Sequence, residues 1–423
     1  MNAFIGILIL FGATRGRKES IKCIWSNDGA FCRPIFKATM GRDAFQNILR
    51  FIRTDNHETR QERRASDKLA PIREVWEIFT NNCQNCLVPE SQVCVDEQLV
   101  GFRGRCPFRV YMKSKPDRYG IKIWANCENP SGYVWNSQVY TGQISSAPEK
   151  KQGQRVVLDL VKGLGNGYGV TCDNFFTSLE LAKELAKQNK TLLGTMRQIR
   201  KEVPKIMLPS KLREVNSSLF LFSRDAVMVS YVPRKNKSVV LLSSQHNTQA
   251  VSTEEHAKPD IILDYNKSKG AVDSADKMLK EFSCHRISKR WPFVLLTHII
   301  NVCALNAYVL YQRKFPNSRL SRLNFLKELG SELVKPAIKT RANPPRTGIP
   351  LSVQAAMASV IGPLPQQVLL PVPSHSGKGK RNRCSFCPRT KDTKYSAKCA
   401  LCSAYICTEH TKSSMITCLN CNE

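Results

Sequence analysis

The chain has 423 residues, 42% of them hydrophobic, enough to build the cores of two or three domains and too apolar for a wholly disordered chain. Its 64 Lys and Arg against 34 Asp and Glu leave a formal charge of +30, a self-repulsion that a polyanionic partner would relieve. Of 17 cysteines, ten are scattered between Cys23 and Cys303 and seven lie between Cys384 and Cys421; the odd total and the CxxC pairing read as reduced thiols and metal ligands of an intracellular protein, not as a disulfide framework. No basic, apolar and small-residue succession suggests a secretion signal, so the apolar stretch Phe4 to Gly12 is expected to be a helix of the fold.

Residues 1–90 repeat apolar residues at helical spacing in IGILILFG, DAFQNILRFIR and IREVWEIFTNNC, with a charged loop from Asp55 to Lys68. From Ser91 the period changes to two: SQVCVDEQLVG, YGIKIWANCE and GYVWNSQVYTG read as successive antiparallel strands. A helix is expected around Arg155 to Lys162, then a strand YGVTCD, then a helix from Ser178 to Gln188 with Thr177 and Glu180 as a capping box. Residues 200–257 carry short β-type runs (LFLFS, VMVSYV, VVLLSS) and read as an insertion. IILDYN is expected to be extended, and AVDSADKMLKEF helical. Trp291 to Gln312 holds no charged residue and is long enough to span a bilayer, but His298, Asn301 and Asn306 favour a buried helix without membrane contact. Trp291 itself reads as a core residue. Eight prolines between Lys335 and Pro373 read as linker.

The last 43 residues hold four ligand pairs: Cys384 and Cys387, Cys399 and Cys402, Cys407 and His410, Cys418 and Cys421. Eight soft ligands fill two tetrahedral zinc sites. Neighbouring pairs can share a metal, but the short gap between Cys402 and Cys407 favours interleaving, with the first and third pairs on one ion and the second and fourth on the other. So short a module depends on metal for most of its folding free energy. It resembles RING and PHD fingers, yet its third pair runs Cys then His and the gap before the last pair is short, which departs from ubiquitin-ligase and histone-reader patterns. Lys380, Arg381 and Arg383, in the run KGKRNR, suit phosphates; the same run also reads as a solvated tail or import signal.

Metal-dependent phosphodiester chemistry needs about three carboxylates brought together from separate elements, because Mg²⁺ and Mn²⁺ take hard oxygen ligands. Asp96 stands inside the apolar strand VCVDEQLV, where an acid is costly without a partner or a metal. Asp173 ends YGVTCD, at the carboxyl edge of a sheet, and Asp273 and Asp276 share one helix face. Singly, each has an ordinary explanation: Asp173 capping the next turn, Asp276 pairing with Lys280, Asp96 facing solvent. In sequence, strand acid, strand-end acid and helix acid follow the layout of RNase H-like nucleases and transposases.

VDEQLVGFRGRCPFRVYMKSKPDRYGIK, TCDNFFTSLELAKEL, YNKSKGAVDSADKML and HRISKRWPFVLLTHIINVCALNAY together resemble the piggyBac transposase family, including its domesticated derivatives, over residues 1–340, and the cysteine module is similar to that family's terminal cysteine-rich domain. The resemblance implies an α+β multidomain fold. Its parts are a helical dimerisation and DNA-binding segment (1–91), an RNase H-like catalytic core (92–199 and 258–284) with a β-rich insertion (200–257), a second helical segment (285–340), a linker (341–380) and a cross-brace zinc domain (381–423). It implies Asp96, Asp173 and Asp273 as catalytic aspartates holding Mg²⁺ or Mn²⁺, and Asp276 as a further acidic position. It implies a homodimer in the nucleus that cuts and pastes double-stranded DNA at TTAA targets, with the zinc domain on terminal inverted repeats. Arg103, Arg105, Arg109, Lys113 and Lys115, with Arg286, Lys289 and Arg290, are expected to neutralise phosphates. MNAFIGILILFG is similar to the inside of the family's helical domain, so by that resemblance the family's acidic leading region and first helices are missing from this sequence, as in a truncated gene copy or with a mis-predicted start. A domesticated or defective derivative that binds DNA without strand transfer is the alternative; a chromatin or ubiquitin zinc module on an inactive core is a second, with only Phe386 and Tyr405 as aromatic candidates for a peptide cage.

Overall fold

The computed structural model describes residues 1–26, 32–143, 149–253, 256–343, 349–364, 381–388, 390–399 and 402–411. Two compact units form, Met1–Pro365 and Gln366–Glu423. Cys418, Cys421 and Lys380 lie outside the described residues.

Helices α1 (Asn2–Ala13), α2 (Ile21–Ile24), α3 (Pro34–Thr39), α4 (Arg42–Phe51), α5 (Arg60–Ser66) and α6 (Arg73–Cys86) open the chain. A sheet follows, with β1 (Gln92–Gly101), β2 (Arg109–Tyr111), β3 (Tyr119–Glu128) and β4 (Val134–Val139). Next come α7 (Gln152–Leu160), β5 (Gly169–Cys172), α8 (Leu179–Lys187) and β6 (Thr191–Thr195), then β7 (Ser218–Phe222), β8 (Val227–Arg234) and β9 (Lys237–Ser243). Helices α9 (Asp260–Ser268), α10 (Ala271–Glu281), α11 (Trp291–Lys314), α12 (Arg322–Ala342) and α13 (Leu351–Ile361) complete the first unit.

The strands join one sheet in the order β2-β3-β1-β5-β6-β9-β8-β7, with β4 also paired to β3. β1 is antiparallel to β3 and parallel to β5, and β5 is parallel to β6. All four residues of β5 are buried, as expected of a parallel strand covered on both faces. The stretch read as an insertion supplies β7 to β9, and because β9 pairs antiparallel with β6 these strands extend the same sheet.

Helix α1 packs on α12 through two glycines: a β-carbon on Gly6 would stand 2.7 Å from Val334 Cγ1 and 2.9 Å from the Gly330 carbonyl oxygen. Phe4, Phe11, Phe36 and Phe45 fill the core beside this crossing. Helix α11 is long and apolar enough to cross a membrane, yet 61% of its most apolar window is buried in the fold. Its polar groups have protein partners: Asn306 accepts from Val134 N–H at 2.9 Å and donates to the Val134 carbonyl at 2.9 Å, and Asn301 accepts from Cys284 N–H at 2.9 Å. Trp291 is buried edge-on against Phe108 at 5.0 Å, the core role expected of it.

Four local expectations are corrected. The stretch from Asp55 to Lys68, expected as a charged loop, carries helix α5, whose Arg60 and Arg63 pair with Asp55. IILDYN is helical, as α9, because Ile261 and Ile262 pack against Leu193, Val227 and Leu241 of the sheet. The proline-rich stretch contains the end of α12, with Pro336 inside it, and all of α13, whose Ala356 and Met357 are buried. The cap of α8 is Ser178, accepting from Leu181 N–H, while Thr177 donates to the Asp173 carbonyl at 2.8 Å. In the second unit, β10 (Asn382–Arg383) pairs with β11 (Lys394–Tyr395) over a small core around Cys399 and Ile406.

Candidate active site and metal centre

Asp96, Asp173, Asp273 and Asp276 line one cleft of about 1120 Å³, together with Glu97, Lys115, Lys277, Lys280 and Glu281. Sheet register explains the first pair. Val95 of β1 lies opposite Cys172 of β5 in a parallel ladder, so Asp173, one residue past the end of β5, stands level with Asp96. Helix α10 crosses this end of β1 and β3 and carries Asp273 in its first turn. Three separate elements thus bring carboxylates to the carboxyl edge of the parallel strands, where loops leave room for a ligand.

The electrostatics are those of an under-compensated acid cluster. Burial, with added repulsion from Asp173 and Asp273, pushes the Asp96 carboxyl up to about 7, against the opposing pull of the Glu97 N–H at 2.7 Å and of Lys115. Burial likewise raises Asp173, although one carboxylate oxygen accepts from Phe175 N–H at 2.8 Å. Lys115 reaches the cleft between the Glu97 carbonyl at 2.9 Å and Asp273 at 3.8 Å. Asp276 is held by Lys280 at 2.7 Å, so the ordinary reading of this residue and its place in the cleft both apply. Six acids face three lysines in the cleft of a strongly basic protein. Hard oxygen donors that repel one another in partial burial fit a divalent cation. The thiols beside them, Cys94 and Cys172, are buried and pushed up, Cys94 to about 12, and stay protonated.

Glu97 and Glu281 line the cleft without having been singled out in the sequence. Strand alternation turns Glu97 away from Asp96, and it pairs with Lys122 at 2.8 Å. Glu281 follows Asp273 by eight residues on α10, close to two helical turns, which was the signal available to find it.

The residues expected at phosphates differ in their surroundings. Arg103, Arg105, Arg109, Lys113 and Lys289 are exposed, and Lys115 lines the acid cleft. Arg109, Arg286 and Arg290 also donate to backbone carbonyls: Arg109 to Arg103 and Gly104, Arg286 to Gly16 and Glu19, and Arg290 to Leu49, Arg50 and Ile52. Their guanidinium groups hold the fold together. Arg381 and Arg383 are exposed in the second unit, with Arg383 bonded to Asp392.

In that unit the Sγ atoms of Cys384, Cys387 and Cys407 and a ring nitrogen of His410 lie within 4.8 Å of one another. Three thiols and an imidazole converging this closely could hold a metal ion, and such a donor set suits zinc; they are the first and third pairs of the cysteine pattern. Cys399 and Cys402, of the second pair, do not join this group; their expected co-ligands Cys418 and Cys421 fall among the undescribed residues.

A family model described as Transposase IS4 matches residues 1–308. Human PiggyBac transposable element-derived protein 3 is 22% identical over 367 residues, which cover 82% of this chain and 59% of that protein. The human Chimeric ERCC6-PGBD3 protein is also 22% identical over 367 residues, covering 82% of this chain and 33% of its own length. The chain thus spans less than two thirds of the length of either relative. Among solved structures, the piggyBac transposase in its synaptic complex with hairpin DNA superposes with a TM-score of 0.83 at 31% identity, over 99% of this chain and 87% of that one.

Proposed function

The chain belongs to the piggyBac-type transposases of the transposase IS4 family, and from that membership we propose that it is a DDE-type transposase, cutting and rejoining double-stranded DNA. The observation that carries this reading is the convergence of Asp96, Asp173 and Asp273 on one cleft. The strand order β4-β3-β1-β5-β6, with β3 antiparallel to β1 and with β5 and β6 parallel to it, supports an RNase H-like assignment for the core.

Asp96 and Asp173 would hold divalent ions, with Asp273 completing the ligand set; the oxygen donors suit Mg²⁺ and Mn²⁺ alike. Held by these carboxylates, such ions would supply the Lewis acidity that makes a water or 3′ hydroxyl a better nucleophile and offsets charge on the leaving oxygen. Lys115, drawn between Asp273 and the Glu97 carbonyl, is placed to meet a phosphate entering the cleft. Asp276, paired with Lys280 in the middle of α10, adds a further carboxylate to the cleft lining. Cys384, Cys387, Cys407 and His410 would hold one zinc ion and Cys399, Cys402, Cys418 and Cys421 a second. By the family's pattern, the DNA is a pair of terminal inverted repeats inserted at TTAA, the working state a homodimer and the compartment the nucleus. A derivative that binds DNA without transposing is favoured by one observation, the 22% identity to a human protein whose name describes it as transposable element-derived.

An excision assay with matched donor ends decides between them. The transposase reading expects excision by the natural chain and none by the Asp173→Asn variant. Equal outcomes for the two chains would remove the catalytic claim.

A further inference from the structure

Three of the eight cations expected at phosphates hold two loops rigid, and what those loops display has no role in the site described above. Arg286 donates to the carbonyls of Gly16 and Glu19 at 3.2 and 2.6 Å, and its guanidinium covers the Phe11 ring at 5.1 Å. Four residues on, Arg290 donates to three carbonyls at the end of α4, of Leu49, Arg50 and Ile52, at 2.6 to 3.1 Å. The segment between them is pinned at both ends. Its middle carries Ile287, 88% exposed, and the exposed Lys289.

The second loop lies against the first. A β-carbon on Gly104 would stand 2.9 Å from the Lys289 carbonyl oxygen, so the two backbones touch, and the residue there must be glycine for them to do so. Arg109 donates to the carbonyls of Arg103 and Gly104, both at 3.0 Å. The neighbours of Gly104, Arg103 and Arg105, are exposed, and neither they nor Lys289 has an ion pair among the described residues. Scattered exposed aliphatics are ordinary. An isoleucine fully displayed on a braced backbone, beside three cations, is the composition by which proteins pack an apolar side chain against a base step while cations hold the flanking phosphates.

We propose that the paired loops 103–105 and 286–290 form a rigid DNA-gripping edge: Ile287 packs against a base step of duplex DNA, Arg103, Arg105 and Lys289 take the adjacent phosphates, and Arg286 and Arg290 act as positioning residues that brace the tip. The inference rests on the DNA-processing reading and adds an apolar contact to it. The bracing matters because an apolar tip on a mobile loop would lose in ordering entropy much of what its burial gains.

The test uses the full chain and a 30-bp duplex of mixed sequence carrying 2-aminopurine at successive positions. The wild-type chain is expected to bind and to raise 2-aminopurine fluorescence at one step. Ile287→Ala is expected to weaken binding about 3- to 10-fold, to abolish the fluorescence rise and to leave the salt slope unchanged, whereas Lys289→Ala lowers that slope by about 0.9. Arg290→Lys keeps the charge and loses the fork that reaches three carbonyls; it is expected to lose the fluorescence signal like Ile287→Ala. Retained signal in Ile287→Ala, or wild-type behaviour of Arg290→Lys, would overturn the proposal. If the wild-type chain fails to bind the duplex, the DNA-processing reading falls with it; if the wild-type chain binds and Ile287→Ala keeps both its affinity and its fluorescence rise, only the apolar edge falls.

Discussion

Replacing Asp96 by asparagine should stabilise the metal-free protein, and by an amount that depends on pH. In the fold this carboxyl titrates near 7 because burial and its acidic neighbours oppose the charge; unfolded, it titrates near 3.8. Keeping it ionised in the metal-free fold therefore costs on the order of 4 kcal/mol, an upper figure because solvent entering the cleft screens it. The sign follows from proton binding. Between pH 4 and 7 the folded state holds a proton that the unfolded chain has lost, so wild-type stability falls as pH rises through this window and levels off above it. Asp96→Asn removes the titrating group and with it this loss. In thermal unfolding with a chelator present, the two proteins should differ little at pH 4.5, and the variant should unfold several degrees higher at pH 8. Adding Mn²⁺ at pH 8 should raise the wild-type midpoint and leave the variant unmoved, since a ligand that binds only the fold stabilises it by mass action. A variant no more stable than wild type at pH 8 would refute the reasoning, because the acid cluster would then be no electrostatic burden on the fold.

His298, stacked on Trp76, and His285 are lowered to about 4, chiefly by burial, so they fold neutral; stability should be fully present above pH 6.5 and fall between 6.5 and 4. His298→Gln should flatten that fall by up to ~3 kcal/mol in urea unfolding. Gly6→Ala should cost roughly 1 to 3 kcal/mol, read as a lower urea midpoint, because its β-carbon meets Val334 Cγ1 at 2.7 Å and α1 must shift off α12. A zinc chelator should release two metal ions per chain and collapse the amide spectrum of residues 381–423, with the unfolding midpoint of the larger unit unchanged; Cys384→Ser should bind one ion fewer.

The strands of the core were legible because half-buried antiparallel strands must alternate: SQVCVDEQLVG and YGIKIWANCE announce β1 and β3. What alternation does not carry is which strands become neighbours. The meeting of Asp96 with Asp173 depends on the parallel pairing of β1 with β5, a contact across more than seventy residues, and it entered the sequence reading only through the order of acids and the family motifs. IILDYN was misjudged because two adjacent isoleucines mimic a strand, when Ile261 and Ile262 in fact press one end of a helix onto the sheet. The proline count pointed to linker where Pro336 is tolerated within α12 and Pro350 starts α13. The arginines show the same limit from the other side. Their charge is visible in the sequence, but the free carbonyls at the end of α4 that capture Arg290 exist only once the helices have packed.

Whether Asp96, Asp173 and Asp273 make one metal site is read from titration of the full chain with Mn²⁺, followed by the loss of the free-ion paramagnetic resonance signal. Wild type should take up Mn²⁺, and Asp96→Asn and Asp173→Asn should each lose that uptake while remaining folded. Undiminished uptake in both variants would contradict a shared site.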